Sequence, residues 1–180
     1  MTKLSSKVFA NVKTAAENHS SLTGTLFLAS LLLLVFANAA WAGDWNLKDR
    51  DGTHYTLAGL QGKWVLVNFW APWCPPCIEE MPGLARLQQQ HKDLQVIGVA
   101  VAYASRKEVI DTVSKLSISY PIVLGNEDTA GEFGGLDGMP TSFLYAPDGK
   151  LVGHHQGPLT QDGVAQAIAQ NPQAAALFTR

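Results

Sequence analysis

Apolar residues along this chain gather in short unbroken runs separated by stretches with a longer period. Trp64-Val65-Leu66-Val67-Asn68-Phe69-Trp70 is a near-continuous apolar run, which predicts a central strand buried on both faces. Leu94 to Val101 predicts a second such strand. Between them, Leu84 and Leu87 form part of a buried helical stripe, while Glu79, Arg86 and Gln90 are left for solvent. Proline is tolerated in the first turn of a helix, so Pro75 and Pro76 allow this helix to begin at Cys74 and run towards His91, with a kink expected at Pro82.

The remaining elements follow from their punctuation. Ser105 and Glu108 read as a capping box that opens a helix carrying Val109, Ile110, Val113 and Leu116. A short strand is predicted over Pro121 to Leu124, then one or two helical turns over Asp128 to Phe133 before a loop containing Gly134, Gly135 and Gly138. Thr141 to Tyr145 and Leu151 to Gln156 flank Asp148-Gly149, a strong hairpin signal, and Asp51-Gly52 marks a smaller hairpin between Trp45 and Leu57. A last helix is predicted from Thr160 to Gln170. Strands alternating with helices and ending in a hairpin give an α/β fold with a sheet of mixed direction.

The beginning of the chain has a different pattern. Lys3, Lys7 and Lys13 precede an apolar run from Leu26 to Ala37, and Ala40-Trp41-Ala42 then offers alanine at both positions a signal peptidase inspects. Cleavage before Gly43 is one reading. An uncleaved membrane anchor is the other, because residues 22–42 nearly span a bilayer if Ser30 and Asn38 are tolerated. The chain therefore divides into residues 1–43, a signal peptide or anchor, and residues 44–180, one domain. Either way the lysines hold the N-terminus inside and the remainder is exported, to a periplasmic location.

Composition narrows the function classes. Of 180 residues, 47% are apolar and 16% charged, enough for one hydrophobic core, and the formal net charge of −2 comes without any basic run. Nucleic acid is therefore not expected as a partner. The two cysteines, Cys74 and Cys77, would lie in an oxidising compartment, where a disulfide forms readily. A bridge closing so short a loop removes little unfolded-state entropy, so reactivity explains it better than stabilisation. Zinc would require a second ligand pair, and haem attachment a histidine where Ile78 stands. Neither a metal nor a cofactor is expected. His154 and His155, adjacent on a strand, point to opposite faces and read as plain hairpin residues.

Five features occur in a characteristic order: Asp51-Gly52 with Gly62-Lys63, Val67-Asn68-Phe69-Trp70-Ala71, Trp73-Cys74-Pro75-Pro76-Cys77, Glu80-Met81-Pro82, and Gly138-Met139-Pro140-Thr141. In these the chain resembles the exported thioredoxin-like thiol:disulfide oxidoreductases of the TlpA, ResA and CcmG (DsbE) type over nearly all of Trp45 to Gln170. The resemblance implies a thioredoxin fold: a central mixed β-sheet flanked by helices, an N-terminal β-hairpin, and a central αβ insert between about Tyr103 and Leu124.

It also implies roles for the site. Cys74, at a helix N-terminus that favours negative charge, becomes the nucleophile, and Cys77, one turn inside, resolves the mixed disulfide. Pro140 is implied to be cis and to pack against the pair, leaving the Met139 backbone for a substrate strand, while Trp73 covers the disulfide. Plain thioredoxin carries a buried Asp where Asn68 stands here, and an amide is no base. Glu80, one helical turn beyond Cys77, matches an acidic residue used near the site, the bland alternative being a solvated glutamate. The implied activity is reduction of disulfides in exported partner proteins, apocytochrome c among them, by a monomer re-reduced by a membrane electron donor of the DsbD or CcdA type. A thiol oxidase and a copper-handling chaperone are the alternatives.

Overall fold

The structure, a computed structural model, describes residues 45–171. The signal peptide or anchor expected over residues 1–43 lies outside the described residues.

β1 (Asn46–Lys48) and β2 (His54–Thr56) pair antiparallel. Gly52, at φ +94°, supplies the left-handed turn between them that side-chain-bearing residues avoid. A 3-10 turn at Ala58–Leu60 leads into β3 (Trp64–Trp70), in which every residue is buried. β3 occupies the middle of a five-stranded sheet of order β5-β4-β3-β6-β7. It runs parallel to β4 (Leu94–Ala100) and antiparallel to β6 (Thr141–Tyr145). Beyond them, β5 (Ile122–Leu124) pairs parallel with β4, and β7 (Leu151–Gln156) pairs antiparallel with β6 along the outer edge.

Four α-helices complete the domain among the described residues: α1 (Pro75–Gln90), α2 (Arg106–Lys115), α3 (Glu127–Gly131) and α4 (Gln161–Gln170). Strand alternation assigns the sheet's two faces. Trp64, Leu66 and Trp70 face a cluster shared with Met81, Leu84 and Leu87 of α1, Val109 and Val113 of α2, and Val164 and Ile168 of α4. On the other face Val65, Val67 and Phe69 pack with Trp45, Leu47 and Phe143. The apolar run of β3 is continuous because both faces are covered, which is the thioredoxin-like arrangement implied above.

Several boundaries differ from expectation for local reasons. Cys74 caps α1 in an extended conformation and is not its first residue; the helix begins at Pro75, where a missing N–H costs nothing. Pro82 lies inside α1 without ending it. Ser105 caps α2 and accepts from the Glu108 amide at 3.2 Å, but the Glu108 carboxylate accepts from Ala104 N at 2.9 Å, so the expected box closes one residue early. A reciprocal capping box stands instead at Asn126 and Thr129, and it starts α3 at Glu127, one residue before the expected turns.

Candidate active site

Cys74 and Cys77 form a disulfide across the mouth of α1, with Cα atoms 5.3 Å apart. Cys77 is 0% exposed and Cys74 4%, so only Cys74 has a route to a partner. The Cys74 carbonyl accepts the first helical bond, from Ile78 N at 3.1 Å, while Cys74 N donates to the Ala71 carbonyl at 3.1 Å and Pro75 and Pro76 carry no N–H, so what the start of α1 offers the sulfur is chiefly the positive end of its dipole. Trp73 is 60% exposed, and its indole N–H donates to the Ala102 carbonyl at 2.6 Å. Trp73 therefore presents much of its indole to solvent beside the pair.

The Met139–Pro140 peptide is cis, as the resemblance implies. β6 begins one residue later, and its register sets Thr141 opposite Phe69 at the end of β3 that leads to the cysteines. The cis bond and the disulfide thus lie at the same end of the sheet. Met139 is half-buried and packs against the cluster that contains both cysteines, while Pro140 is buried.

Glu80 is not a solvated glutamate. It is 6% exposed, whereas its neighbour Glu79 is exposed. Its Oε1 accepts from Asn68 Nδ2 at 2.8 Å and its Oε2 from Leu159 N at 2.5 Å. Asn68 Nδ2 also donates to Ser142 Oγ at 3.0 Å. Burial pushes the Glu80 carboxyl above the ordinary carboxylate range; the Leu159 amide, the Asn68 amide and the positive charge of His155 pull it back without cancelling that effect. The Tyr120 phenol, buried in the same cluster, is raised first by burial and then by the Glu80 carboxylate.

Asn68 therefore does not merely lack the acid of plain thioredoxin. It holds a carboxylate delivered from the next helix. Ser142, Leu159 and His155 were not anticipated in this role. One signal for them existed: a polar residue inside an otherwise apolar strand must find polar company when buried.

The chain matches the family model described as the AhpC/TSA family over residues 39–154. It belongs to the AhpC/TSA family. It is 31% identical over 130 residues to the thioredoxin-like protein YneN of Bacillus subtilis, covering 71% of this chain and 76% of that one. It is 29% identical to the thiol-disulfide oxidoreductase ResA of Geobacillus thermodenitrificans, covering 79% and 88% respectively. Among solved structures, a thioredoxin-family thiol:disulfide interchange protein from Chlorobium tepidum superimposes with a TM-score of 0.64 at 28% identity, over 71% of this chain and 92% of that chain. This member of the family is a thiol-disulfide oxidoreductase of the ResA/DsbE type.

Proposed function

We propose that the protein works in the reducing direction on disulfides of exported proteins, with Cys74 as nucleophile and Cys77 as resolving thiol. The observation that carries this reading is the buried carboxylate of Glu80, one helical turn from Cys77 and held by Asn68. In a reductive cycle the Cys74 thiolate attacks the substrate disulfide and expels one substrate thiolate. The Cys77 thiol must then lose its proton before it can attack Cys74 and release the second substrate sulfur. Glu80 takes that proton, and its raised affinity for protons brings it closer to the pH at which it operates. The protein is left as the disulfide and the substrate as the dithiol. Apocytochrome c is the proposed substrate class, the exposed Trp73 and the Met139 backbone its docking elements, and a DsbD- or CcdA-type membrane protein the source of the next two electrons. Residues 1–43 serve as signal peptide or anchor, which puts the domain, as a monomer, in the periplasm.

The direction is tested by equilibrating the Cys74–Cys77 pair with a thiol redox buffer. A reductase is expected near the thioredoxin end of the range, about −270 mV, and a value near the DsbA end, about −120 mV, would make the protein an oxidase. Glu80 is tested separately. In Glu80→Gln, single-turnover release of the mixed disulfide is expected to slow by about 10²-fold, while the first attack by Cys74 changes less. Equal effects on both steps would remove Glu80 as the proton acceptor.

A further inference from the structure

Four residues lie in one line across the sheet. The strand registers set Asn68 opposite Gly98 on one side and opposite Ser142 on the other, and Ser142 opposite His155. Opposed residues share a face. Gly98, Asn68, Ser142 and His155 therefore form a row on the face covered by α1 and α4, running from the core to the outer strand. The row changes character along its length. Gly98 is in the dry interior, where a Cβ would come within 2.9 Å of the Tyr120 ring and 3.3 Å of Trp70 Nε1. Asn68 and Ser142 are buried and bonded to each other, and Glu80 sits on Asn68. His155, at the open edge, is exposed.

His155 also shares a cleft with the groups that hold Glu80. A cavity of about 110 Å³ between the outer strands and α4 is lined by Ser142, His155 and Leu159, with Leu66 and Val164 behind them. Leu159 supplies the amide that binds the second oxygen of Glu80. The adjacent His154 also borders the cavity, but its ring stacks on Phe143 at 4.7 Å, on the opposite face of the sheet.

We propose that His155 is a positioning residue for Glu80: from the solvent end of the row, and across the cleft it shares with Ser142 and Leu159, its ring supports the network that holds the carboxylate, and its positive charge favours the ionised form. This rests on the reading of Glu80 as the proton acceptor for Cys77. The titratable groups facing Glu80 are few. Cys77 lies one turn back on α1, Tyr120 stands before β5, and His155 comes from β7; Asn68, Ser142 and the Leu159 amide are neutral. Among the described residues facing Glu80, only the imidazole can bring a positive charge.

The test uses the full chain in its disulfide form, in which the cysteines do not titrate. Carboxyl carbon NMR of Glu80 is followed against pH in the wild type, His155→Gln and His155→Lys. The Glu80 midpoint is expected to move to higher pH in His155→Gln and to stay at or below the wild-type midpoint in His155→Lys. Reduced protein provides the functional readout: release of a mixed disulfide is expected to slow about two- to fivefold in His155→Gln, the size of an exposed charge interaction, and to recover in His155→Lys. Coincident Glu80 titrations in the wild type and both variants would overturn the inference. Because that titration is read on the disulfide form, it tests the link between His155 and Glu80 even if Glu80→Gln releases substrate at the wild-type rate; the latter result would overturn only the base reading.

Discussion

Cys74→Ser is expected to reduce disulfide exchange to the uncatalysed background, while Cys77→Ser accumulates covalent complexes with partner proteins. The asymmetry follows from access and order of attack. Cys77 is wholly buried and Cys74 is the one of the pair with any exposed surface, so the first bond to an incoming disulfide forms at Cys74. Its thiolate is favoured by the positive end of the dipole at the start of α1. Without Cys77 the mixed disulfide forms but has no internal route to resolution. Non-reducing electrophoresis of partners captured by each variant measures both halves of the prediction. Equal trapping by the two variants would reverse or abolish the assigned roles.

Trp70→Ala is expected to cost about 3–5 kcal/mol of folding stability, read from the midpoint of urea unfolding. The indole is 0% exposed at the last position of β3, packed in the cluster that contains both cysteines and the buried stripe of α1. Gly98 on β4 leaves its Nε1 room, since an added Cβ there would stand 3.3 Å from it. Removing so large a side chain leaves a cavity that close-packed neighbours fill only in part. The loss approaches the whole stability of a marginal domain, at about 5–15 kcal/mol. A shift of the midpoint worth less than about 1 kcal/mol would mean that the surrounding cluster collapses into the space.

These two effects stand at different distances from the sequence. The cysteine pair was legible because its chemistry is local. Two prolines open a helix and the pair straddles its first turn, whereas the cis Met139–Pro140 bond was implied only by the family resemblance. The buried run of β3 was legible for a similar reason: seven residues with one polar interruption admit few environments. Helix edges were less secure, as Asn126 and Ala104 illustrate, because several nearby polar groups compete to satisfy the same amides.

Glu80 marks where sequence reasoning stopped. Its phase on α1, with Cys77, Leu84 and Leu87, put it towards the core, yet a carboxylate in that place is tolerable only if polar partners meet it there. Those partners are 12 residues away at Asn68 and 79 away at Leu159, while Ser142 lies 74 residues beyond Asn68. Alternation along β7 separated His154 from His155 but could not say which of them lies on the same face as Asn68. By itself the sequence determined the α/β fold class, the reactive pair and the unusual Asn68. The register of β3, β6 and β7 decided that Asn68, Ser142 and His155 form one row under Glu80, because hydrogen bonding between distant strands, and not any local preference, sets which residues stand side by side.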